Sequence, residues 1–193
     1  QAQFFDNRKE ALLRQLPGHV ASRGNGVARN YLAMGSGFYE AATDKNRLPE
    51  VPGSIISALK SKSLLTKTPE VDLFVNPQAC QAIATSASAL IEQGITIRPA
   101  AKPASVFGAG KPRALHAKFL FSANYRETSG ACSSAWVYLG SGNLTAAGFS
   151  RRMSPSAGNL EAGVVFEPEA LYWQKGREID EWQVVTNLLP IQW

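Results

Sequence analysis

Leu115-His116-Ala117-Lys118-Phe119-Leu120-Phe121, Trp136-Val137-Tyr138-Leu139-Gly140-Ser141-Gly142-Asn143 and Asn159-Leu160-Glu161-Ala162-Gly163-Val164-Val165-Phe166 are three apolar runs within residues 114–166. Each presents a polar or charged residue where a packed strand ordinarily places another hydrophobe. Residues i and i+2 of a strand share a face. His116 and Lys118 therefore point one way, and Leu115, Ala117, Phe119 and Phe121 the other. The second run breaks into Gly-Ser-Gly-Asn, where glycines let backbone approach an anion closely. A helix starting near Asn143 would aim free N–H groups and its positive end at the same place. Ser141 and Asn143 add side-chain donors.

Working outward, Val71 to Val75 reads as a strand, Gln78 to Gln93 as a long helix stopped by Gly94, and Ile95 to Ile97 as the next strand. Strand, helix and strand in that span make a crossover unit with parallel pairing, hence an α/β chain with a mixed, largely parallel sheet flanked by helices. Asp6 to Leu16 reads as a short amphipathic helix ending at Pro17-Gly18, with a loop at 22–26. Asn30 to Met34 reads as a strand closed by Gly35-Ser36-Gly37, a tight turn before it is a phosphate cradle. Residues 44–53 read as loop, Ser54 to Leu65 as helix, and 100–113 as a loop rich in Ala, Pro, Gly and Lys. Lys60, Lys62 and Lys67 fit a solvated helix face before a nucleic-acid contact.

The chain has 193 residues, 45% hydrophobic and 18% charged, which fits one globular domain with a substantial core. Its 20 Lys and Arg against 15 Asp and Glu give a net charge of +5 and favour anionic partners. Two cysteines, Cys80 and Cys132, with no CxxC, argue against structural zinc and a disulfide framework and fit reduced thiols in a cytoplasmic protein. No apolar run reaches the roughly 18 residues that span a bilayer. The chain begins with Gln1, so a cleaved signal peptide or a longer parent protein is expected.

An imidazole beside a lysine suits a phosphodiester. The histidine attacks phosphorus or protonates the leaving oxygen, while the lysine stabilises charge on the non-bridging oxygens. A lone strand histidine is more often structural. Lys118, the Gly-Ser-Gly-Asn turn and Glu161, following in order, tip the balance toward a site. Arg151 and Arg152 fit either a nucleic-acid backbone or a solvated turn. Tyr172, Trp173 and Trp182 read as packing residues before base-stacking ones.

His-x-Lys followed by Gly-Ser-x-Asn at the end of the next strand resembles the phospholipase D superfamily. The aspartate usual five residues after the lysine is replaced by Ala123. That absence, with Asn143-Leu144-Thr145-Ala146-Ala147-Gly148 and the Leu-Glu-Ala-Gly-Val-Val-Phe strand, is more similar to the tyrosyl-DNA phosphodiesterase branch. The likeness covers roughly 114–168. It implies a catalytic imidazole at His116, a phosphate-gripping pair in Lys118 and Asn143, and a glutamate, Glu161, that orients an active-site histidine. Ser141, Gly142 and Arg151 would line the substrate. The resemblance also implies a phosphohistidine intermediate, no metal or cofactor, and two motifs around one pocket.

This chain carries a single motif, because His19, the other histidine, has no lysine two residues on. Either a homodimer brings two copies of His116 together, or residues 1–193 form one domain that is the C-terminal half of a longer two-motif protein. In the first case the role of His116 stays open; in the second it is more readily the general acid. The leading expectation is a metal-independent phosphodiesterase acting on nucleic acid, DNA above all, as a nuclease or DNA-end processing enzyme. Its rivals are a non-catalytic DNA-binding half-site and a phospholipid headgroup hydrolase or transferase. The lipid rival is disfavoured by the lack of a membrane-docking helix.

Overall fold

The computed structural model describes residues 2–23, 26–100, 116–176, 178–191 and 193. β1 (Gln3–Asp6) leads to α1 (Leu12–Arg23), β2 (Arg29–Gly35), α2 (Glu50–Ser61) and β3 (Leu65–Val75). Two short helices, α3 (Gln81–Ala84) and α4 (Ala87–Glu92), cross to β4 (Ile95–Pro99). β5 (Lys118–Tyr125), β6 (Ala131–Gly140), β7 (Ala162–Phe166), β8 (Leu171–Tyr172) and α5 (Val185–Leu188) complete the order. The expected loop at 100–113 lies outside the described residues from 101 on, as does Leu115.

One sheet organises the chain, in the order β1-β7-β6-β5-β2-β3-β4, with β8 paired to the start of β6. It is the mixed α/β sheet expected, and the β3–β4 crossover is parallel as read. Parallel ladders join β2, β3 and β4, and the remaining ladders are antiparallel. β1, β2, β3, β4 and β6 consequently run in one direction, against β5, β7 and β8. The carboxyl ends of β2, β3, β4 and β6 therefore share one edge of the sheet with the amino ends of β5 and β7.

Strand alternation sends side chains into two cores. Leu120, Trp136, Tyr138 and Val165 pack under α1, α2, α3 and α4. Phe119, Phe121, Ala123 and Val137 face the opposite side, where Trp173, Val185 and Ile191 cover them. Between the two, Gly35 is pinned: a Cβ there would stand 2.1 Å from the ring of its cross-strand partner Phe119.

Several boundaries differ from expectation, each for a local reason. α1 does not end at Pro17-Gly18 but runs through them, because Leu12, Leu16, Pro17 and Val20 form one buried stripe. Burial along that stripe outweighs the lost proline N–H. α2 begins at Glu50, not Ser54; Pro52 falls in its first turn, where a missing N–H costs little. The expected long helix from 78 to 93 is two pieces, and the break at Thr85-Ser86 has the Thr85 hydroxyl donating back to the Ala82 carbonyl at 2.8 Å. Gly94 does terminate α4, at φ +70°.

Candidate functional site

The residues singled out by sequence converge on the sheet edge where β6 ends and β5 and β7 begin. Lys118 opens β5 opposite Gly140, the last residue of β6; Gly140 is in turn opposite Gly163 of β7, and Gly163 opposite Phe5 of β1. His116 stands exposed, two residues ahead of β5, so it shares the approach to the edge but not the strand itself. Asn143 follows β6 by three residues, and Glu161 immediately precedes β7.

Tyr138 explains why Gly140 and Gly163 are both glycine. Its ring lies across both: a Cβ at Gly140 would meet the phenol oxygen at 2.0 Å, and one at Gly163 would meet Cε2 at 2.2 Å. The phenol is buried without a hydrogen-bond partner, and burial, with the charge of Glu161 nearby, pushes its pKa up. Phe149 packs edge-on against the ring at 5.5 Å.

The turn after β6 is tightly closed. A Cβ on Gly142 would stand 2.0 Å from the Gly148 carbonyl oxygen, and one on Gly148 2.5 Å from that of Asn143. The expected helix from Asn143 is instead a single π-helical turn, Ala146–Ser150. Its first N–H groups are already taken: Ala146 donates to the Glu40 carboxylate, and Gly148 to Thr145 Oγ1 at 3.2 Å. The helix-end contribution to anion binding expected from sequence is therefore reduced to what a five-residue π turn with two engaged N–H groups offers. What faces the site here is side-chain chemistry.

Asn143 is half-buried, and its Oδ1 accepts from the Ser36 hydroxyl at 3.3 Å. Among the described residues no hydrogen bond joins Glu161 to a histidine. Its carboxylate takes the Ser141 hydroxyl, and the Asn159 amide at 3.4 Å. Ser141, which also accepts the Ala162 N–H at 3.0 Å, is thereby committed within the protein. Arg151 and Arg152 are exposed just past the π turn. His19 sits on α1 against Phe5, with ring centroids 4.3 Å apart, and burial with Arg23 nearby lowers its pKa.

Two residues whose partners the sequence did not reveal hold this edge together. Asn7, fully buried, accepts the Glu161 N–H at 2.9 Å and donates to the carbonyls of Asn159 at 2.7 Å and Arg151 at 3.3 Å. Ser36, also fully buried, fastens the 143–144 segment to the end of β2. On the far face, buried Trp173 stacks edge-on over Tyr31 at 4.9 Å, which fits packing, whereas Trp182 is exposed. Cys80 and Cys132 are both free, and burial pushes the Cys132 thiol up to about 12. Among the described residues no three His, Cys, Asp or Glu side chains gather as metal ligands, and no helix is long and apolar enough to cross a membrane.

No protein-family model and no curated protein matches the chain. Solved structures do. A polyphosphate kinase from Porphyromonas gingivalis is 13% identical, with TM-score 0.46, over 86% of this chain and 23% of its own. Yeast tyrosyl-DNA phosphodiesterase is 12% identical, with TM-score 0.47, over 89% of this chain and 48% of its own. A mutant of the yeast enzyme gives 12%, TM-score 0.49, 89% and 49%. The chain thus spans half or less of each of these proteins.

Proposed function

We propose that this chain supplies half of a metal-independent phosphodiesterase site acting on nucleic acid, DNA in the first instance, with His116, Lys118 and Asn143 as its chemical groups. The observation that carries the reading is the shared sheet edge: Lys118 pairs with the end of β6, three residues before Asn143, and His116 stands beside them in solvent. A second histidine comes from another copy of the chain or from a further part of a longer one.

One imidazole nitrogen attacks phosphorus, forming a P–N bond as the P–O bond to the leaving group breaks. The other imidazolium gives its proton to the departing oxygen. It then takes a proton from the water whose oxygen displaces the histidine nitrogen. Lys118 and the Asn143 amide hold the non-bridging oxygens as charge builds on them. Arg151 and Arg152, with the net charge of +5, suit a nucleic-acid backbone flanking that group.

Cleavage of a single-stranded oligonucleotide or a phosphodiester reporter, measured with EDTA present, tests this. His116→Ala abolishes turnover, and Lys118→Ala or Asn143→Ala lowers kcat about 10²–10³-fold. Full activity in His116→Ala sinks the proposal.

The engagement of Glu161 by Ser141 and Asn159 favours a second reading, a binding half-site that grips nucleic acid without turnover. It is distinguished by salt-dependent binding that His116→Ala leaves intact.

A further inference from the structure

The Ser36 hydroxyl meets three partners at once, two of them in the 143–144 segment. It accepts the Leu144 N–H at 3.1 Å, and its single proton has two acceptors within reach, the Phe38 carbonyl at 2.7 Å and Asn143 Oδ1 at 3.3 Å. The residues that follow grip the same turn again. Tyr39 forms a β-bridge with Leu144, and Glu40 takes the Ala146 N–H. The Gly-Ser-Gly turn after β2 is thus a mount for the segment that carries Asn143.

We infer that Ser36 is a positioning residue that sets the orientation of the Asn143 amide for phosphate; this rests on the phosphate-gripping role proposed above. An asparagine amide has one end that attracts an anion and one that repels it. With Oδ1 turned to the Ser36 hydroxyl, the Nδ2 donors are left for the ligand. Flipped, the amide would set a carbonyl oxygen against a phosphate oxygen. The serine proton decides between the two, because only a donor at Ser36 rewards Oδ1 on that side. Once an anion accepts from Nδ2, the amide polarises and Oδ1 becomes the better acceptor. The hydrogen bond from the Ser36 hydroxyl to Oδ1 is strengthened in turn. Serine and asparagine thereby act as one unit, although Ser36, fully buried, touches no substrate.

The test follows inorganic phosphate binding to the full chain through the side-chain ¹⁵N amide signal of Asn143, which is assigned by its loss in Asn143→Ala. Phosphate shifts that signal in the wild type, and Ser36→Ala weakens phosphate binding about fivefold to tenfold. In the Asn143→Ala background Ser36→Ala costs nothing further, since the two act in series. Ser36→Cys, a weaker donor of similar size, falls between and carries the comparison should Ser36→Ala not fold. Unchanged affinity in Ser36→Ala, fully additive losses in the double variant, or no phosphate response in the wild type each overturn the inference. Phosphate binding of this kind, together with phosphodiester cleavage that His116→Ala leaves at full rate, sinks the catalytic reading and leaves the Ser36 role standing.

Discussion

Tyr138 is a residue whose polar atom does nothing for stability. Its hydroxyl is buried, has no partner, and lies over Gly140 and Gly163. Burying an unpaired hydroxyl is unfavourable, so its removal should not hurt. Tyr138→Phe is expected to leave the unfolding free energy unchanged or raise it by up to about 1 kcal/mol, read from urea denaturation. Gly140→Ala should instead cost about 1–3 kcal/mol, because the new methyl meets the ring and neither can yield freely. At this scale the sequence was informative about identity and less so about partnership. His116, Lys118 and Asn143 could be named from their spacing and Glu161 from a family resemblance, and they gather at one edge. Ser36 and Asn7 could not, because their work is done on residues 107 and 154 positions away. Within the described residues Glu161 engages Ser141, a neighbour across the β6–β7 ladder, which its place in the sequence did not indicate.

Elements that carry their own alternation were legible: β5, β6 and β7 each place hydrophobes on two faces, and the parallel β3–β4 crossover follows from short strands around a helical span. β1 was missed. It has four residues, and its pairing comes from β7, near the other end of the chain. β3 is legible only where it is buried, from 71 to 75, because its first half stands largely out in solvent. Asn7 links β1 to the 151–161 segment, and Asn7→Ala should cost about 2–4 kcal/mol, since three side-chain hydrogen bonds of a buried residue are lost together. Limited proteolysis should then cut within 151–160 before elsewhere. On α1, His19 has a lowered pKa in the folded state. The unfolded chain therefore takes up its proton first, and stability is lost as pH falls through the ordinary histidine range, about 6.5. Above that range His19 contributes no pH dependence. The urea midpoint of the wild type should fall more steeply below about pH 6.5 than that of His19→Gln, and the two should run parallel above it.

The whole molecule is one sheet with a core on each face, and each core holds a buried tryptophan, Trp136 on the helix side and Trp173 on the other. Since both cores hang from the same strands, neither can melt alone. Fluorescence of Trp136→Phe and Trp173→Phe variants and the far-ultraviolet circular dichroism of each should trace a single transition at one denaturant midpoint. Separate midpoints would mean that the faces are independent. The second face also contains a buried charge: Asp72 accepts the Tyr31 hydroxyl at 2.8 Å and lies 3.0 Å from the Arg98 guanidinium, which in turn stacks 3.9 Å over Trp193. The ring of Tyr138, laid over a glycine on its own strand and another on the next, imposes an order on how this protein can change. A larger residue at 140 or 163 is costly until position 138 has first become smaller, and phenylalanine does not suffice, since the ring carbon Cζ alone would lie 2.4 Å and 2.7 Å from a Cβ at those two sites. Mutational libraries aimed at this edge should therefore vary all three positions jointly, because the single steps taken in the wrong sequence lead through chains that do not fold well.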